Sequence, residues 1–194
     1  MMKKLLCILA LATLLACSSN NCPLSSTVLC NYYFYDRSGV AIKYGDSFSV
    51  TTLLPGQKTV YTYRKLGYQT ETRDARDTTL VNAGYAETVG TARRDTLLVN
   101  KASNRSYIQV PMSYFNKADT LIFDYSSISG NDTIIVEHEG YAHVELPECG
   151  THVYHHLHSV RATDAAIDHI EITNPLVDYE GKENIRIYFN GVVE

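Results

Sequence analysis

Asp119-Thr120-Leu121-Ile122-Phe123-Asp124-Tyr125 and Asn131-Asp132-Thr133-Ile134-Ile135-Val136-Glu137 are two short runs of β-branched and aromatic residues, with a Gly130-Asn131 turn signal between them. Each run is too short for a helix and lacks a 3.6-residue repeat. Each is rich in the residues that fit a pleated, half-buried surface. Together they read as two strands, Thr120–Tyr125 and Thr133–Glu137, joined by a turn.

The same grammar extends in both directions. Strands are expected at Val28–Tyr35, Ser47–Leu53, Thr59–Tyr63, Thr78–Val81, Thr96–Val99, Tyr107–Val110, His152–Val160, Ile167–Thr173 and Ile185–Phe189. Helix is confined to at most one turn at Thr163–Ala166. Short strands at this spacing, punctuated by Gly, Pro, Asn and Asp, predict an all-β fold. We expect an antiparallel β-sandwich, immunoglobulin-like or a related Greek key, with little helix. Tyr32-Tyr33-Phe34-Tyr35 puts aromatics on both sides of one strand, which predicts a central strand buried on both faces. A glycan-binding platform is the functional alternative, although Trp, the residue such platforms favour, is absent.

Asp followed by Ser or Thr and an apolar strand recurs at Asp46, Asp77, Asp95, Asp119 and Asp132. The intervals are too irregular for a solenoid. The near-duplicates Arg76-Asp77-Thr78-Thr79-Leu80-Val81-Asn82 and Arg94-Asp95-Thr96-Leu97-Leu98-Val99-Asn100 suggest a duplicated hairpin. The physical reading is that Asp bonds neighbouring backbone N–H groups in a turn while Thr opens the strand. Thr78, Thr96, Thr120 and Thr133 also fit an Asp-Ser/Thr-aliphatic (or Thr) acceptor pattern for O-glycosylation. Residues 64–77 read as a long exposed loop or hairpin.

The first residues set the compartment. Lys3 and Lys4 precede the apolar run from Leu5 to Leu15, which is right for a signal peptide and too short to span a bilayer. Leu14-Leu15-Ala16-Cys17 resembles the bacterial lipobox. That resemblance implies cleavage before Cys17 and acylation of its sulfur and amine, and two or three acyl chains anchor a protein firmly. We expect residues 1–16 to be the signal, 17–21 the lipidated Cys and a short polar linker, and 22–194 the β-domain. A division into two packed subdomains near 139–150 is the alternative. Ser18 after the lipidated Cys suggests the outer membrane, and the lack of acidic residues after it favours the periplasmic face.

Removing the first 16 residues changes the formal charge from −4 to −6. Residues 58–105 hold nine Lys/Arg and five Asp/Glu, whereas 106–194 hold four and 14. The bland reading is two solvated faces of opposite sign; the sharper one is a basic patch for an anionic lipid or acidic glycan. Nucleic-acid binding does not fit the net charge or the compartment.

Cys22, Cys30 and Cys149 remain in the mature chain, and an oxidising envelope favours one disulfide among three pairings. Cys22–Cys149 closes the longest loop from the chain start and stabilises by roughly 4–5 kcal/mol in the entropy model. That leaves Cys30 as a small buried hydrophobe.

All seven His lie between residues 138 and 169. Alternation along Thr151–Val160 places His152, Tyr154, His156, His158 and Val160 on one face and His155, Leu157 and Ser159 on the other. His156 and His158, with His152 or Glu171, are the candidate zinc ligands. The simpler reading is a polar strand of solvated imidazoles. There is no Gly-x-Ser-x-Gly elbow, His-Glu-x-x-His, P-loop or Rossmann fingerprint, so no enzyme or cofactor is expected.

Cys22-Pro23-Leu24-Ser25-Ser26-Thr27-Val28, the Asp-Thr-Leu strands, Val110-Pro111-Met112-Ser113-Tyr114, Glu148-Cys149-Gly150, Ala166-Ile167-Asp168, Asn174-Pro175 and Lys182-Glu183-Asn184 occur in an order that resembles the small uncharacterised lipoproteins of Bacteroidota grouped as a domain of unknown function. The resemblance implies an all-β body in the envelope, cysteines matching Cys22 and Cys149 as a pair, and no assigned activity. Our own expectation is a binding or structural module with an envelope protein or a glycan as partner. The alternatives are a metal-dependent or catalytic protein using the His152–His158 strand, or an accessory subunit of a surface assembly. Cys30 and the stretch 64–93 depart from the family pattern.

Overall fold

The computed structural model describes residues 28–144 and 150–191. Eleven strands and one short helix occur among them. They are β1 (Cys30–Asp36), β2 (Phe48–Arg64), β3 (Glu71–Arg73), α1 (Thr78–Asn82), β4 (Ala86–Ala102), β5 (Tyr107–Val110), β6 (Ala118–Tyr125), β7 (Asn131–His143), β8 (His152–Ala162), β9 (Ile167–Ile172), β10 (Leu176–Val177) and β11 (Ile185–Phe189). They form two sheets packed as a sandwich. One is four-stranded in the order β5-β1-β11-β9. The other runs β10-β8-β7-β6-β2, with β3 on the same side of β2 as β6 and β4 along its other edge. All pairs are antiparallel except β1 with β11, which run parallel from Tyr32 opposite Ile185 to Asp36 opposite Phe189.

The core follows from period-two alternation. In β6, Asp119, Leu121, Phe123 and Tyr125 are buried; in β7, Asp132, Ile134, Val136 and His138 are buried. The inward phase of both strands is therefore apolar in the middle and polar at the ends. Phe34, Tyr44, Phe48, Phe123, Tyr125 and Phe189 fill one end, mostly edge-on or tilted, with Phe34 and Phe189 perpendicular at 5.4 Å. Such pairs add about 0.5–1.5 kcal/mol each beyond their buried area.

Asp132 is fully buried at the start of β7. Its carboxylate accepts from the Tyr125 hydroxyl at 2.9 Å, the Thr163 hydroxyl at 2.9 Å, and the N–H groups of Ala165, Ala166 and Ile167 at 2.8, 2.8 and 3.1 Å. These residues carry the chain from β8 in one sheet to β9 in the other. The expected helical turn at Thr163–Ala166 is absent, because its N–H groups turn onto this carboxylate.

Three further expectations are corrected. Thr78–Val81 is helix, not strand: the Asp77 side chain accepts from the N–H groups of Thr79 and Leu80 and caps α1. A cap at the right place outweighs β-branched propensity over so short a run. Ser47–Leu53 and Thr59–Tyr63 are one strand. Pro55-Gly56 makes an irregularity between Leu54 and Gln57 rather than a break, with Gly56 at φ 87°. β1 is internal to its sheet, but only one of its faces is buried. Tyr32 and Phe34 point inward; Tyr33 and Tyr35 lie half-exposed outside, where Tyr33 stacks on Tyr107 at 5.0 Å.

The distal half of the β2–β4 hairpin carries β3 and α1. Its charges pair locally, Lys58 with Asp74 and Asp95, and Arg76 with Glu87. Residues 64–77 thus form the β2–β3 hairpin and the lead-in to α1.

Replacing Asp132 with Ala leaves three backbone N–H groups, those of Ala166 and Ile167 buried, and a tyrosine hydroxyl without their acceptor. The expected loss is on the order of 3 kcal/mol or more, read as a lower urea midpoint with unchanged slope.

Candidate functional site

At the opposite end of the sandwich from Asp132, the inward positions of β6, β7 and β8 bring Asp119, His138 and His155 together. All three are buried. Asp119 Oδ2 lies 3.1 Å from His138 Nε2, and His138 Nδ1 lies 3.2 Å from His155 Nδ1. Asp119 also accepts from the Ser113 N–H at 2.9 Å and the Ser113 hydroxyl at 2.5 Å. An ionised Asp119 makes His138 Nε2 the donor; in a neutral His138, Nδ1 is then the acceptor and His155 Nδ1 donates to it. Burial, reinforced by His138, holds His155 down at about 4, so it is neutral at pH 7. Asp119 is desolvated too, but the bonds from His138 and Ser113 outweigh this and hold its carboxyl below the usual range.

Cys30 sits nearby on β1 and is free and fully buried. Burial pushes its thiol up to about 12. It is therefore no thiolate, as expected of a small buried hydrophobe. Ser113 is bonded to Asp119 and not to a histidine. The cluster has no nucleophile activated by an adjacent base. What it does is mechanical. Through Ser113 it latches the strap 111–117 onto β6, with β7 and β8 behind it. Tyr114 lies stacked over His155 at 6.5 Å, and Phe115 stands almost fully in solvent.

The sequence reading missed this cluster. Its signal was the phase: Asp119 and His138 occupy inward positions continuous with Leu121 and Val136. The expected grouping of the histidines on β8 is only part of what forms. His156 and His158 are both exposed, with rings 5.2 Å apart, and His158 Nε2 is 3.9 Å from Glu139. A register shift between Glu137 and His138, opposite Leu157 to Ser159, reverses the alternation, so Val160 packs on the core instead of sharing their face. His152 pairs with His143 at the far end of β8, roughly 13 Å along an extended strand from His156. Glu171 is in the other sheet, accepting from Tyr188. Among the described residues no three His, Cys, Asp or Glu side chains group as metal ligands.

The recurrent Asp does more than one job. Asp46 and Asp77 bond neighbouring N–H groups as expected. Asp119 and Asp132 reach across the fold, and Asp95 pairs with Lys58. Thr78 and Thr96 are exposed, whereas Thr120 and Thr133 are half-buried in the sheet. Cys17, Cys22 and Cys149 lie outside the described residues.

The profile of DUF6452, a family of unknown function, matches residues 86–189. The chain belongs to the DUF6452 family. The DUF6452 match begins at β4 and ends with β11, so it takes in Asp132, the Asp119–His138–His155 cluster and the strap, and leaves out β1 to α1. No curated protein and no solved structure matches the chain.

The latch has a pH signature. His155 is at about 4 in the fold against an ordinary 6.5, so the folded state resists its protonation. Stability is retained above pH 6.5 and is lost as pH falls toward 4, by roughly 2 kcal/mol once solvent screening is allowed for. Asp119, lowered in the fold, adds a further loss as pH falls from the ordinary carboxylate range through its folded value. Urea midpoints between pH 7 and 4 are expected to fall in the native chain. They should fall less steeply in His155→Phe.

Proposed function

We propose that this protein is a bacterial envelope lipoprotein of the kind found in Bacteroidota, acylated at Cys17 and held at the periplasmic face of the outer membrane. Its role there is that of a binding or structural module. The observation that carries the anchor is the order Lys3-Lys4, Leu5 to Leu15, then Leu14-Leu15-Ala16-Cys17. Ten residues separate Cys17 from Val28, an extended length of at most about 36 Å, so the sandwich would be held close to the bilayer. No helix among the described residues is long and apolar enough to cross a membrane. A lipid anchor supplies the attachment instead.

The binding-module reading is supported by the interior. The buried cluster of Asp119, His138 and His155 is spent on holding a strap in place. A disulfide between Cys22 and Cys149 fits the same compartment and leaves Cys30 free, as found. Of the four glycosylation candidates, Thr78 and Thr96 offer an exposed hydroxyl.

In cells fed labelled palmitate, the native chain is expected to take up label and sediment with outer membranes. Cys17→Ala is expected to lose both. Unlabelled native chain, or a Cys17→Ala variant that stays labelled, contradicts the anchor. Non-reducing peptide mapping is expected to join Cys22 to Cys149; a bond to Cys30 contradicts that pairing.

A further inference from the structure

One side of the sandwich is not closed. β4 is the outermost strand of its sheet and β5 of the other. Among the described residues β4 pairs only with β2, and β5 only with β1. The two free edges face one another across a seam. A cleft of about 250 Å³ lies between Val99 and Ala102 of β4 and Arg105, Tyr107, Ile108 and Gln109 at β5. A second, of about 210 Å³, continues along the same side between Leu98 and Thr96 of β4 and Met112 and Ser113 of the strap, with Leu53 and Leu54 beneath.

We propose that this seam is a docking site for an extended peptide strand of a partner protein, one with alternating apolar side chains and acidic ends. The proposal deepens the binding-module reading above. Three observations specify the occupant. First, among the described residues the outward backbone N–H and C=O groups of β4 and β5 have no hydrogen-bond partner, and an extended chain is what satisfies such a row. Residues Thr96–Ala102 alone offer at most about 23 Å of edge, shortened by the bulges they carry. Second, the gap between the sheets is apolar: Leu53, Leu54, Leu98 and Val99 are only half-buried there, so every second side chain of an added strand has a place to bury. Third, the first cleft is lined by Arg105 and no carboxylate, with Lys101 beside it and Arg94 further along the edge. None of these three cations has an ion-pair partner among the described residues, and the Asp119 carboxylate that lines the second cleft is taken up by Ser113 and His138, so the rim complements acidic residues on either side of an apolar run.

The strap fits this role. Its latch to Asp119 fixes Met112 and Ser113 as one wall of the groove. The exposed Phe115 adds apolar surface beside the groove's end, next to Asn116. The β4 edge lacks Pro, one of the usual devices against strand addition, although it bulges between Leu97 and Ala102, where Lys101 stands at φ 43°.

The test is selection of a displayed library of random nine-residue peptides on the full chain in detergent micelles. The expected enrichment is for peptides with period-two apolar residues and acidic ends. Synthesised, these should bind with a Kd in the micromolar range by fluorescence anisotropy. Methylating their alternate backbone amides should weaken binding at least tenfold, and Lys101→Glu combined with Arg105→Glu should weaken it about tenfold. Thr96→Arg, an exposed change on the groove wall, should also weaken it; circular dichroism checks that each variant is folded. No enrichment, enrichment without the period-two pattern, or indifference to methylation overturns the proposal. So does sedimentation showing that a second copy already covers β4. The outcome does not depend on acylation: a failed selection counts against the seam, and failed palmitate labelling counts against the anchor.

Discussion

A single carboxylate, that of Asp132, holds the crossing between the two sheets. It sits at the first inward position of β7 and gathers three consecutive N–H groups from the Ala165–Ile167 segment, together with hydroxyls from β6 and from the end of β8. A buried carboxylate is costly unless its oxygens are satisfied, and here each oxygen accepts two or three bonds. The geometry it imposes starts β9 in the other sheet. From there the chain can return as β10 beside β8, cross once more, and insert β11 between β9 and β1. The parallel β1–β11 pair is a consequence of that route.

The other end of the sandwich is tied differently. Asp119 again sits at an inward position, but its partners are imidazoles and the strap. One carboxylate fixes a crossing and the other fixes a surface segment. Between them lies an apolar and aromatic middle that needs neither. The lateral seam between β4 and β5 has no such tie. Among the described residues the fold is thus closed at its ends and open along one side, which is where the proposed binding module would keep its free surface.

Much of this was legible in the residues. Ile185–Phe189 and Tyr107–Val110 are strands as expected, because short β-branched or aromatic runs between turn residues admit little else. The duplicated Arg-Asp-Thr segments were not legible. Asp77 finds the N–H groups of Thr79 and Leu80 and starts a helix, whereas Asp95 finds Lys58 on a neighbouring strand and stays extended. Identical local sequence was decided by what lay across from it. On β8 the alternation puts His155 and Leu157 inward and His156 and His158 outward as expected, and fails at Val160. A period-two reading assumes an unbroken strand, and the irregularity opposite Leu157 to Ser159 resets the phase. Pro55-Gly56 misled in the opposite direction, reading as a break where β2 continues. The Asp119–His138–His155 cluster joins residues far apart in the chain. Their inward phase marked them as buried, and only the strand order shows that they meet.

Amide hydrogen exchange of the full chain, resolved by residue, tests this arrangement most directly. The account predicts that the N–H groups of Ala165, Ala166 and Ile167 exchange only through global unfolding, with the inward core of β6 and β7. Along β4 it predicts that the amides between Thr96 and Ala102 that are turned away from β2 exchange orders of magnitude faster than those bonded to it. Uniform protection along β4, or fast exchange at Ala165–Ile167, would contradict a sandwich pinned at its ends and open along its side.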